Sequence, residues 1–140
     1  MDKFFLDTNI IIYSFDKSSR KKKNISVELI DNALSTGQGV ISHQVIQEFV
    51  SVAISKFKKN FNAEKLTIFF EEVMFPLWKA YPDREMYISA LQIQDKYQLS
   101  WWDSLIVASA LITGCNKLYT EDLQHGLQCH TLKIINPYLS

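Results

Sequence analysis

Lys3-Phe4-Phe5-Leu6-Asp7-Thr8-Asn9 is the stretch that decides how this chain is read. A continuous hydrophobic run, without polar alternation, is the pattern of a strand buried on both faces, as in a parallel sheet. The run stops abruptly at a carboxylate, a hydroxyl and an amide. In open α/β sheets, ligands collect just beyond the carboxyl ends of the strands. Asp7 therefore admits two readings. It caps a turn into the next segment, or it is one wall of a metal site whose other walls lie elsewhere in the chain.

Working outward, Ile10-Ile11-Ile12-Tyr13 and Phe15 are apolar and turn into a short helix. Asp16 to Asn24 breaks the pattern with Arg20-Lys21-Lys22-Lys23, which reads as a solvated basic loop. From that position the loop can rim a site and touch phosphate. Ile25, Leu29, Ile30, Ala33 and Leu34 have helical spacing, and Gly37 and Gly39 end the helix. Val40-Ile41-Ser42 is a second short strand, with Ser42 placed to cap a long helix through Phe57. Another helix follows Asn62, and Pro76 and Pro82 bracket a connector with room for a short strand. Asp83 to Tyr97 is helical. Ser100 caps a helix over 101–113 that is apolar almost all round and so is buried. Strands follow at 117–120 and 131–135. Strands alternating with helices indicate an α/β fold with a mainly parallel sheet.

The remaining acids can now be weighed. Asp103 fits a capping box with Ser100. At about 100° per residue, however, it shares a face with Ile106, Val107 and Ala110. An unpaired charge on an apolar face is expensive to bury, so something must neutralise it. Glu48 lies at the edge of its helix's apolar stripe, where a surface role competes with a functional one. Glu121-Asp122 follows a strand as Asp7 does, and either can cap a turn or face a site. Like charges at about 4 Å repel by about 4 kcal/mol per pair at an effective dielectric near 20. A divalent cation relieves that repulsion. An all-oxygen donor set points to Mg²⁺ or Mn²⁺ rather than zinc, and carboxylate-held magnesium serves phosphate chemistry.

The bulk properties set limits. With 140 residues, 47% of them hydrophobic and 13% aromatic, the chain can fill the core of one domain spanning 1–140. The formal net charge is zero, so contact with nucleic acid would be local rather than a broad basic grip. No apolar stretch reaches the roughly 18 residues that a membrane helix needs, and no secretory leader is visible. The expectation is a cytoplasmic protein with reduced Cys115 and Cys129. His43, His125 and His130 show no metal-ligand spacing, and no P-loop, Gly-x-Gly-x-x-Gly or Gly-x-Ser-x-Gly motif occurs. Trp101 and Trp102 read as packing residues, with base stacking as the alternative.

Four segments together resemble a known family. Phe5-Leu6-Asp7-Thr8-Asn9, Ser42-x5-Glu48-Phe49, Ser100-Trp101-Trp102-Asp103-Ser104-Leu105 and Leu118-Tyr119-Thr120-Glu121-Asp122-Leu123 occur in the order found in PIN-domain nucleases. The likeness is greatest to VapC-type toxins of bacterial toxin–antitoxin pairs. It implies a PIN-like three-layer α/β/α sandwich and Mg²⁺- or Mn²⁺-dependent cleavage of RNA. It also implies a cognate antitoxin partner and a homodimer. Carried across residue by residue, Asp7, Glu48, Asp103 and Asp122 match the catalytic, metal-holding acids, with Glu121 an alternative for the last. Thr8 or Asn9 matches the polar residue beside the first acid. Arg20, Lys21 and Lys22 are the candidates for substrate phosphate.

Three rivals make different demands. A haloacid-dehalogenase-type phosphatase needs a second Asp where Asn9 stands. A receiver-type signalling domain needs an acid at the end of a central strand, and Val40-Ile41-Ser42 lacks one. A catalytically silent PIN-fold module that binds RNA or protein would not need its acids intact.

Overall fold

The computed structural model describes residues 2–139. Its six strands are β1 (Lys3–Leu6), β2 (Gly39–Ser42), β3 (Trp78–Ala80), β4 (Cys115–Tyr119), β5 (Gln128–Cys129) and β6 (Leu132–Ile135). They form one sheet in the order β3-β2-β1-β4-β6-β5. All pairings are parallel except β5 with β6. The first strand lies at the centre, as its unbroken apolar run requires, and Phe5 and Leu6 are fully buried.

The chain runs from β1 outward to β2 and β3, then returns to lay β4 on the other side of β1. The outward crossovers carry α1 (Thr8–Tyr13) and α2 (Arg20–Thr36), then α3 (His43–Lys56), α4 (Ala63–Phe69) and α5 (Phe75–Leu77). The return carries α6 (Arg84–Tyr97) and α7 (Trp101–Ile112). Right-handed crossovers put the outward and return helices on opposite faces, giving the three-layer α/β/α sandwich. The reversal makes the β1/β4 boundary a topological switch point, where the helices diverge and leave a cleft beyond the strand ends. Leu6 is in register with Tyr119, so Asp7 and Thr120 are the next residues on adjoining strands.

Two packing features hold the elements that bear on this cleft. Helix α7 buries Ser104 through Ala110 without interruption. Its buried hydroxyls are satisfied on its own carbonyls, Ser104 on Ser100 at 2.7 Å and Ser109 on Leu105 at 2.8 Å. Helix α3 is braced by a cluster in which Phe49 meets Phe15, Phe61 and Phe69 at centroid distances of 5.1–5.9 Å. On the outward face α2 approaches β2 so closely that a Cβ on Gly39 would meet the Cβ of Ala33 at 2.2 Å.

Several local expectations need correction. The basic run is not a loop: Ser19 caps α2 by accepting from Lys22 N, so Arg20 to Lys23 form its first turn. Ser42 occupies the N-cap position of α3 with no side-chain cap bond, and its Oγ is buried without a partner among the described residues. The helix after Asn62 widens into a π-helical turn at Phe70–Met74. Strand β5, two residues long, carries too little pattern to be read from sequence.

Candidate active site

Asp7 sits at the floor of the cleft, 6% exposed. Its Oδ1 accepts from Thr8 N at 2.7 Å, which makes it the cap of α1. Its Oδ2 accepts from the Thr120 hydroxyl at 2.7 Å. The two readings of Asp7 therefore coexist: it caps a helix and it faces a site. Burial drives its pKa up to about 7, despite the opposing bonds from Thr120 and Thr8. The charges of Asp122 and Glu48 push in the same direction as burial.

Polar groups from three elements close around it. Thr8 Oγ1 donates to Glu48 Oε1 at 3.1 Å, linking α1 to α3. Asn9 Nδ2 donates to Asp122 Oδ2 at 3.1 Å and to Thr120 Oγ1 at 3.3 Å. Asn9 Oδ1 accepts from Glu121 N at 3.2 Å, and Thr120 Oγ1 accepts from Asp122 N at 3.1 Å. Thr120 is thus the junction of Asp7, Asn9 and Asp122. It was not among the residues singled out in the sequence. The signal lay in the strand register, because a residue one past Tyr119 must stand beside a residue one past Leu6.

Asp103 enters from the first turn of α7, where its backbone N donates to Ser100 Oγ at 3.1 Å. Ser100 therefore caps α7 as expected, while the carboxylate expected to be buried is only partly so. Asp103 is partly buried because it lies in the first turn of α7, ahead of the run Ser104–Ala110 that the helix buries. Burial still raises its pKa. The Ser100 hydroxyl partly offsets this, and Asp122 adds to the rise. The charge of Asp122 pushes both Asp7 and Asp103 upward in pKa.

Glu121 turns the other way. It accepts from Tyr13 OH and from Lys22 Nζ, each at 2.6 Å. Burial would raise its pKa, but these bonds outweigh it and the net shift is downward. Lys22 also lies over the Tyr13 ring, 4.7 Å from its centroid. Its ammonium is committed to this cluster, whereas Arg20 and Lys21 are exposed. Lys17, Arg20 and Lys23 line a shallow basic depression of about 330 Å³ beside them.

No three His, Cys, Asp or Glu side chains among the described residues are drawn together tightly enough to enclose an ion as they stand. The donor chemistry nevertheless fits a hard divalent cation. It is all oxygen, and Asp7 is held near neutral pKa by burial and by two acids that a cation would screen.

An α/β/α sandwich with acids gathered beyond the carboxyl end of its central strand is the class of protein defined here. The PIN domain family model matches residues 4–126, and the chain belongs to that family. Its fold is also that of chains in three solved structures. One is a toxin–antitoxin complex from Klebsiella pneumoniae, with a TM-score of 0.67 at 19% identity, covering 97% of this chain and 98% of that one. The second is DNA-bound VapBC from Salmonella typhimurium, with a TM-score of 0.67 at 19% identity, covering 96% and 97%. The third is FitAcB from Neisseria gonorrhoeae, with a TM-score of 0.64 at 18% identity, covering 96% and 98%. No curated protein matches the sequence. No helix among the described residues is long and apolar enough to cross a membrane.

Proposed function

We propose that the chain acts as one domain, a divalent-metal-dependent endoribonuclease that hydrolyses RNA phosphodiester bonds. We further propose that it is the toxin of a toxin–antitoxin pair. The observation that carries the nuclease reading is Asp7, a carboxylate buried at the switch point with a pKa near 7 and the fields of Asp122 and Glu48 upon it. Such a group is poised to exchange a proton for a cation. The antitoxin partner is supported by the fold shared with chains of toxin–antitoxin complexes.

In this reading Asp7 and Asp103 hold Mg²⁺ or Mn²⁺ directly, and Glu48 and Asp122 complete the set. When bound, the ion supplies a water of lowered pKa and screens charge on the phosphate. The rest is done by the chain itself. Thr120 and Thr8 N keep the Asp7 carboxylate oriented, Thr8 fixes Glu48, and Asn9 fixes Asp122. Arg20 and Lys21 contact phosphates flanking the cut. A homodimer, a cytoplasmic location and reduced Cys115 and Cys129 belong to the same reading.

The test is cleavage of a defined RNA pool by the purified protein with Mg²⁺ or Mn²⁺, beside Asp7→Asn and an EDTA control. The expected result is cleavage by the wild type alone, with Asp7→Asn folded and inactive. Full activity of Asp7→Asn would overturn the assignment. RNA binding without cleavage in either metal would identify a silent binding module instead.

A further inference from the structure

Beside the acid cluster, a groove of about 160 Å³ opens between the start of α3, α6 and the start of α7. Tyr87 and Trp101 form an aromatic wall, with ring planes 16° apart and centroids separated by 6.3 Å. Leu105 adds apolar lining, and Gln44 and Gln47 border the groove from α3. No carboxylate, lysine or arginine lines it, and its one imidazole is His43, at the start of α3. The groove's lining residues neighbour two of the acids along the chain. Gln47 immediately precedes Glu48, and Trp102 immediately precedes Asp103. Gln44 Nε2 donates to the Trp102 carbonyl at 3.4 Å, joining the two sides. Trp102 is 66% exposed and Tyr87 49%, so broad aromatic surface meets water next to a charged site.

We infer that this groove is a nucleobase subsite, taking one unstacked base of single-stranded RNA whose phosphate lies at the acids. The inference rests on the nuclease reading above and adds how the substrate is gripped. A base offers an uncharged π-face and a hydrogen-bonding edge. Aromatic walls and a side-chain amide match both, whereas a phosphate would call for lysine or arginine, and this groove has neither. Tyr87 and Trp101 provide the stacking platform, and Gln47, exposed at the rim, reads the base edge. The formal neutrality of the chain accords with a grip of this kind, since stacking needs no net positive charge.

The experiment uses the full chain and two readouts. The first is cleavage of a randomised RNA pool in Mg²⁺ or Mn²⁺, sequenced to give base preference around each cut, for wild type, Tyr87→Ala, Tyr87→Phe and Gln47→Ala. The second is binding of a mixed-sequence dodecaribonucleotide in EDTA, followed by tryptophan fluorescence, with sedimentation as a control on oligomeric state. The expected result is a base preference at one fixed position from the cut. Tyr87→Ala weakens oligonucleotide binding about tenfold, Gln47→Ala flattens the preference, and Tyr87→Phe retains both. Unchanged preference and binding in Tyr87→Ala and Gln47→Ala would overturn the inference while leaving the nuclease reading in place. A change of oligomeric state with preference intact would overturn it in favour of a protein interface. Wild type that binds but does not cleave, with binding lost in Tyr87→Ala, would keep the groove and sink the nuclease reading. Neither binding nor cleavage would sink both.

Discussion

Thr120 donates its hydroxyl to Oδ2 of Asp7 at 2.7 Å, from 113 residues away in sequence. The bond joins the ends of β1 and β4 across the switch point and favours the charged form of a carboxylate that burial works to protonate. Thr120→Val keeps the shape and removes the donor. The Asp7 pKa then moves further above about 7. A pH–rate profile of RNA cleavage should show its acidic limb displaced upward by about one unit, with an activity loss near neutrality of about tenfold. Thr120→Ser should restore the wild-type profile. An unmoved limb in Thr120→Val would show that the bond does not tune Asp7.

The same burial makes Asp7 a stability liability in the metal-free protein. Its folded-state pKa is about 7 against 3.8 for an unperturbed aspartate, so between these values the folded state holds a proton that the unfolded chain has released. The protonated carboxyl's advantage is fully present below about pH 4. It is lost as pH rises through about 7. Asp7→Asn has no charge to bury. Urea denaturation in EDTA should find it more stable than wild type by about 2–4 kcal/mol at pH 8, with the difference shrinking toward pH 4. Equal stabilities at pH 8 would contradict the raised pKa.

The parts of this site legible in sequence were those written locally. β1 announced itself by hydrophobic continuity, and Ser100 and Asn62 announced helix starts that they do cap, accepting from Asp103 N and Lys65 N. The parts that were not legible depend on which distant segments meet. Nothing near Lys22 indicates that it folds onto Tyr13 and pairs with Glu121, 99 residues on. The choice between Glu121 and Asp122 could not be made from two adjacent acids, because what separates them is Asn9 reaching one and Lys22 the other. Asp103 was over-read for a different reason. A helical wheel gives angle but not depth, and a residue in the first turn shares a face with the core without sharing its burial.

In the nuclease reading proposed above, Glu121 is a positioning group and Asp122 is the acid it presents. Tyr13 and Lys22 pin the Glu121 side chain, while Asn9 holds both the Glu121 backbone N and the Asp122 carboxylate. Asp122→Asn should lower kcat/KM for RNA by about a hundredfold or more. Glu121→Ala should lower it by about tenfold at most. The metal requirement should separate them further. Raising Mg²⁺ should recover activity in Glu121→Ala, whose four cluster acids remain, and not in Asp122→Asn. Equal losses, unrecovered by metal, would make Glu121 a member of the cluster itself.

In the proposed nuclease the first turn of α2 divides its cations between two tasks, and salt dependence should tell them apart. Arg20 and Lys21 are exposed, beside a depression lined by Lys17 and Lys23, whereas the Lys22 ammonium is engaged with Glu121 at 2.6 Å. A cation that neutralises a phosphate releases a counterion. Each such contact adds about 0.7 to the slope of log affinity against log salt for a single strand. Binding of a short RNA to the Asp7→Asn background, titrated at several salt concentrations, should show the slope reduced by about 0.7 in Arg20→Ala and again in Lys21→Ala. Lys22→Ala should leave the slope unchanged and instead lower kcat in the active protein, through the freed Glu121. A reduced slope in Lys22→Ala, with kcat intact, would place its ammonium on the substrate rather than on the loop that carries Asp122.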